Sequence, residues 1–124
     1  MELRIKRAYE APARADGRRI LVDRLWPRGL TKAAAKIDFW AKAIAPSDAL
    51  RRWYGHVPDR WPGFRKRYFA ELSGNPAGME ALLANLRAPR VTLVYSSTEE
   101  RMNNAAALKE YLESRAKAGS EGPG

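Results

Sequence analysis

The stretch Arg19-Ile20-Leu21-Val22-Asp23-Arg24-Leu25-Trp26-Pro27-Arg28-Gly29 places three consecutive aliphatic residues ahead of a charged, aromatic and turn-rich segment. Aliphatics at three successive positions leave no polar face, so the run reads as a strand buried on both sides, as in the middle of a parallel sheet. Pro27 and Gly29 end it. Val91-Thr92-Leu93-Val94-Tyr95 has the same character and predicts a second buried strand. Glu2–Tyr9 differs: Leu3 and Ile5 alternate with Arg4 and Lys6, the pattern of a half-buried strand. Ala11–Gly17, with Pro12 and Asp16-Gly17, is a turn. It is too short to hold an ordinary crossover helix, so the direction of the first strand relative to the second stays open.

The segments between the second and last strands are helical in pattern. Thr31 is an N-cap for a helix over Lys32–Ala45, where Ile37, Trp40, Ala41 and Ile44 recur at helical spacing. Pro46 stops it, and Ser47 caps a short helix carrying Leu50, Trp53 and Tyr54. Gly55-His56-Val57-Pro58 is a loop. Asp59 opens a third helix with Trp61, Phe64, Tyr68 and Leu72 on one face, and Pro62 fits only because it lies in the first turn. Asn75-Pro76 begins a fourth, to about Leu86. Asn103 or Asn104 caps the last, whose stripe is Leu108, Tyr111 and Leu112. The expected fold is α/β: a small, mostly parallel sheet flanked by helices, with a helical insertion between the second and last strands. Residues 1–115 form one domain. Residues 116–124 hold no large apolar side chain and are expected to be a disordered C-terminal tail.

Composition narrows the chemistry. The 124 residues are 45% hydrophobic and 30% charged, which suits a folded domain and not a disordered chain. With no cysteine and one histidine, disulfides, thiolate nucleophiles and cysteine-based metal sites are excluded, and no metal set is read. No segment is apolar over the length of a bilayer and the first ten residues are charged throughout, so a cytoplasmic protein without membrane association is expected. Lys and Arg number 23 against 14 Asp and Glu, a formal net charge of +9. Such a surplus favours anionic partners. The abundance of Arg and Ala also fits a GC-rich genome, so the charge alone does not make a nucleic-acid binder.

In open α/β sheets ligands bind beyond the carboxyl ends of the strands. Two polar segments fall there: Asp23–Gly29 after one strand and Ser96–Asn104 after the other. Asp23, ending an apolar strand, needs a partner, and Arg24 or Arg28 is the candidate. Arg28 reads as an anion clamp, with Asp23 orienting it or acting as general base. His56 has the one side chain with an ordinary pKa suited to proton transfer near neutrality, although a histidine among aromatics serves structure more often than catalysis. Asp23 and His56 are thus the catalytic candidates, with no nucleophile to join them. Ser96, Ser97 and Thr98 could hold phosphate oxygens, or could join Asn103 and Asn104 in capping the helix that follows. The candidate ligand-binding set is Arg24, Trp26, Arg28, His56, Ser96, Ser97 and Asn103. The leading expectation is binding of a phosphate-bearing or carboxylate small molecule. The alternative is a nucleic-acid-associated module using the basic face Arg60–Arg67, with Arg65 and Arg67 central. No cofactor or oligomeric state is indicated.

Arg4-Ile5-Lys6-Arg7, Leu21–Gly29, Trp53-Tyr54-Gly55-His56, Arg67-Tyr68 with Glu71-Leu72, and Val91–Tyr95 with Asn103-Asn104-Ala105 together resemble the bacterial YeaO-like group of domain-of-unknown-function family 488. The likeness covers about residues 2–115, and Asp-Arg-Leu-Trp-Pro-Arg-Gly is its most specific part. The resemblance implies an α/β fold and a cytoplasmic location, and it carries no named activity. Two positions depart from the family pattern: Val57 stands where Asp is common, and Met102 where His is common within an acidic-His-Asn run. Any acid–base or metal role of that second histidine is absent from this chain.

Overall fold

The computed structural model of the chain describes residues 1–120. Four parallel strands, β1 (Glu2–Arg7), β2 (Arg18–Leu21), β3 (Phe39–Trp40) and β4 (Arg90–Tyr95), lie in the order β1-β4-β2-β3. The fold is therefore α/β, with β2 and β4 in the middle as their aliphatic runs require. The open question about β1 is answered: it never meets β2, because β4 inserts between them and runs parallel to both. The segment joining β1 to β2 holds a single 3-10 turn, Arg14–Asp16. Gly17 ends that turn at φ +65°, where a Cβ would stand 2.2 Å from the Arg90 carbonyl oxygen. Only glycine fits there.

Strand alternation sorts the core into two layers. Ile5, Leu93, Ile20 and Phe39 align across the sheet on one face. This face packs on α2 (Asp48–Tyr54), α3 (Trp61–Ser73), α4 (Pro76–Ala84) and α5 (Asn104–Ser120), through Phe64, Tyr68, Leu72, Leu82 and Leu108 among others. Tyr68 is fully buried and donates from its hydroxyl to the Ile44 carbonyl at 2.7 Å, which satisfies the one polar atom it brings inside. The next row, Lys6, Val94, Leu21 and Trp40, faces the other way. There a smaller core of Ala8, Leu21 and Val94 is covered by Trp26, Leu30, Ile37 and Trp40.

The expected helix over Lys32–Ala45 is a misreading. Thr31 does cap a helix, but α1 spans only Lys32–Ala35, and Lys36 closes it in the left-handed region at φ 49°. Asp38 then accepts the Arg19 backbone N–H at 2.8 Å, which lays Phe39-Trp40 alongside β2 as β3. The apolar spacing has another cause: Ile37 and Trp40 fill the smaller core while Ala41 and Ile44 fill the larger. Ser47 caps its helix as expected, its Oγ accepting from Leu50 N–H, and Asn75 starts α4 with its Oδ1 accepting from Gly78 N–H. Asp59 does not open the third helix: it lies in a 3-10 turn, Pro58–Arg60, and α3 begins at Trp61, with Pro62 in its first turn. The first strand stops at Arg7 rather than Tyr9, and β2 stops at Leu21, which leaves Asp23 just beyond the strand. Helix α5 continues past Ala116 to Ser120, beyond the boundary set for the tail; residues 121–124 lie outside the described residues. Among the described residues no helix is long and apolar enough to cross a membrane.

Candidate functional site

Because β2 and β4 are adjacent and parallel, the segments that follow them leave the sheet side by side. Asp23 joins them. Its Oδ2 accepts the Ser96 backbone N–H at 2.9 Å and the Ser96 hydroxyl, and its Oδ1 accepts Asn104 Nδ2 at 2.9 Å. Asn104 also donates to the Val22 carbonyl, and Trp40 Nε1 donates to the Asp23 carbonyl at 2.7 Å. The expected ion pair with Arg24 or Arg28 is not formed. A half-buried carboxylate is stabilised equally by three well-placed neutral donors, and the β4 loop and the first residue of α5 supply them.

The β4 loop is largely spent on itself. Arg7 donates to the carbonyls of Ser97 and Ser96, Ser97 Oγ accepts from Glu99 N–H, and the Glu99 carboxylate accepts the N–H groups of Arg101 and Met102. Those backbone donors, Met102 first, hold the Glu99 carboxyl below its ordinary pKa, with further help from nearby His56 and Arg101. Asn103 is fully buried: its amide donates to the Glu99 carbonyl and its oxygen accepts from Ala106 N–H. The start of α5 is therefore closed by the chain's own groups. Asn103 caps α5, as one of its two readings expected, whereas Ser96 makes its hydrogen bonds to Asp23 and caps no amide of that helix.

The opposite wall is cationic. Arg24 Nε stands 3.5 Å from Asp48 Oδ1 and is buried without a hydrogen bond, while Arg51 reaches the same Asp48 oxygen at 3.0 Å. Arg52 donates to the Asp48 carbonyl. Arg28 is exposed, and its guanidinium makes no ion pair among the described residues; its backbone carbonyl accepts the Tyr9 hydroxyl at 2.9 Å. Trp26 anchors this loop by donating to the Leu30 carbonyl and packing edge-on against Trp40. The two walls enclose a cavity of about 730 Å³. Every candidate ligand-binding residue (Arg24, Trp26, Arg28, His56, Ser96, Ser97 and Asn103) lines it, together with Asp23.

His56 reaches the cavity from the turn after α2. Gly55 and His56 both have positive φ, 52° and 58°, which swings the histidine out of the helix to an exposed position beside Tyr54, with ring centroids 5.5 Å apart. Tyr54 in turn donates to the Met102 carbonyl at 2.7 Å. Burial, then the charge of Glu99, pushes the Tyr54 phenol up, so it stays protonated and donating near neutrality. Sequence reading missed Tyr9, Arg51, Arg52 and Asn104 as lining residues. Arg51-Arg52 was the available signal: two cations beside the core residue Leu50 on a short helix must flank its buried side.

The basic face of α3 behaves differently. Arg65 pairs with Glu110, and the guanidinium groups of Arg67 and Arg60 lie 3.9 and 5.6 Å from the Trp53 ring centroid. These cations have partners inside the molecule.

The fold and site define a small α/β domain with a cation-walled crevice at the carboxyl ends of a parallel sheet. Residues 2–123 match the family model DUF488-N3i, described as the inactive DUF488-N3 subclade, and the chain belongs to this YeaO-like DUF488 family. It is 39% identical over 115 residues to a protein of Escherichia coli K12 that bears the name "Uncharacterized protein YeaO", covering 92% of this chain and 99% of the relative. It is 38% identical over 113 residues to "Uncharacterized protein Rv3073c" of Mycobacterium tuberculosis H37Rv, covering 91% and 95%. No solved structure gives a significant match.

Proposed function

We propose that this chain is a cytoplasmic domain that binds an anionic small molecule in the crevice, with Arg28 as the principal clamp. The observation that carries the reading is the Arg28 guanidinium, without an acidic partner among the described residues, on the wall of a cavity of about 730 Å³, within the range of roughly 300–1,000 Å³ usual for small-molecule sites. Arg24, Arg51 and Arg52 add positive potential behind it, and the low-dielectric walls strengthen their pull on an anion. An arginine fork suits a phosphate or carboxylate because it offers two parallel N–H donors.

Binding fits the site better than turnover. Among the described residues His56 has no hydrogen-bonded base or nucleophile, Asp23 accepts from Ser96 and Asn104, and the family model carries the description inactive. The nucleic-acid alternative draws less support, since Arg65 and Arg67 are engaged with Glu110 and Trp53. The experiment is thermal shift with nucleotides and phosphosugars on the wild-type protein and on Arg28→Ala. A ligand-dependent rise in Tm that the variant loses is expected; no rise with any ligand overturns the reading.

A further inference from the structure

Asp23 narrows what the crevice holds, given the anion-binding reading above. A carboxylate has about four acceptor positions. Ser96 fills both on Oδ2, and Asn104 fills one on Oδ1. One acceptor position on Oδ1 is left over, and no cation pairs with Asp23 among the described residues. A bare anion cannot use that position, because it has no proton to donate. A ligand that meets Asp23 must bring a hydrogen-bond donor, either neutral (a hydroxyl or an N–H) or charged (an ammonium).

The charges of the wall choose between those two. Four arginines, Arg24, Arg28, Arg51 and Arg52, line the cavity against one lining carboxylate, Asp23, with Asp48 pairing Arg24 and Arg51 from outside it. An added ammonium would enlarge the positive surplus, and a monocarboxylate offsets less of it than a dianion does. A phosphate monoester, with about −1.5 to −2 at neutral pH, matches it better. The cavity is also far larger than an isolated ion needs.

We infer that the occupant is a hydroxyl-bearing phosphate monoester of sugar phosphate or mononucleotide size. Its phosphate sits with Arg28, and one of its hydroxyls donates to Asp23 Oδ1. Asp23 is then the specificity-determining residue of the crevice.

The test is isothermal titration of the full chain at pH 7.5 and low salt. The ligands are ribose 5-phosphate, glucose 6-phosphate, adenosine 5′-monophosphate, 1-pentyl phosphate and inorganic phosphate. The tightest hydroxylated ester is expected to bind about tenfold or more tighter than pentyl phosphate, the effect of one hydrogen bond to a charged acceptor. Asp23→Asn is expected to bring the two within about threefold of each other, whatever its effect on phosphate affinity as a whole; should that variant fail to fold, the wild-type comparison decides alone. If pentyl phosphate binds as tightly as every hydroxylated ester, the hydroxyl assignment falls and anion binding stands. If none of the five binds, both fall together.

Discussion

The two ends of β2 each carry an aspartate and arginines, and they treat them in opposite ways. At the amino end Asp16 and Arg19 are both buried and are paired at 2.7 Å. Lys6 adds a second cation at 3.0 Å, the Ala13 N–H a further donor, and the remaining guanidinium nitrogens of Arg19 donate to the Ala35 carbonyl. At the carboxyl end Asp23 takes neutral donors, and Arg28 goes without a carboxylate among the described residues. Burial enforces pairing at the first end, because an ion without a partner there is too costly. The second end opens on solvent and can leave charge uncompensated. Charge without a partner beside a cavity is what separates a candidate site from a structural ion pair.

Variants at the two ends should therefore fail differently, and the largest effect belongs to the closed end. Asp16→Ala strands the buried Arg19 and is expected to cost about 3–5 kcal/mol by chemical denaturation. Asp23→Ala leaves the Ser96 N–H and the Asn104 amide without their acceptor in a half-buried setting, for a smaller loss of about 1–3 kcal/mol. An Asp23→Ala loss exceeding that of Asp16→Ala would break the comparison.

Acid sharpens it further. Burial pushes the Asp16 carboxyl up, but hydrogen bonds from Ala13, Lys6 and Arg19 together outweigh that and hold it below its ordinary value of 3.8. A depressed folded-state pKa contributes stability that is fully present above the unfolded value and lost as pH falls through the folded one. Stability is expected to decline below about pH 4, where unfolded aspartate begins to protonate. Asp16→Asn should flatten that limb in a urea denaturation series across pH. The smallest stability effect belongs to Arg28→Ala, expected within about 0.5 kcal/mol of wild type because its guanidinium makes no ion pair among the described residues. Its ligand affinity should nevertheless fall at least about tenfold, measured by titration with the tightest phosphate ester.

Much of this architecture was legible in the residues. The runs at Ile20–Val22 and Val91–Tyr95 announced central strands, and Thr31 and Ser47 announced caps, because each reports a local preference of the backbone. The meeting of the two polar loops followed from those strands being adjacent and parallel. What escaped was decided by distant partners. Ile37–Ile44 has helical spacing, yet the hydrogen bond from Arg19 to Asp38 and the left-handed Lys36 lay Phe39-Trp40 down as a short strand, and only Lys42–Ile44 keeps a helical turn, of the 3-10 kind. Asp16 read as part of a turn, and its pairing with Lys6 and Arg19 depends on strands brought together by β4. Asp23 was assigned an arginine because charge is visible in a sequence, whereas the three neutral donors that hold it come from the β4 loop and the start of α5, more than seventy residues away.

The insertion of β4 between β1 and β2 bears on how the chain is made. During synthesis the first two strands emerge early and have no edge to share, since the ribosome has yet to deliver residues 90–95 that separate them. The amino-terminal half thus waits with its aliphatic strand unpaired on one side, a dependence on late, long-range closure that slows folding and exposes nascent chains to chaperones.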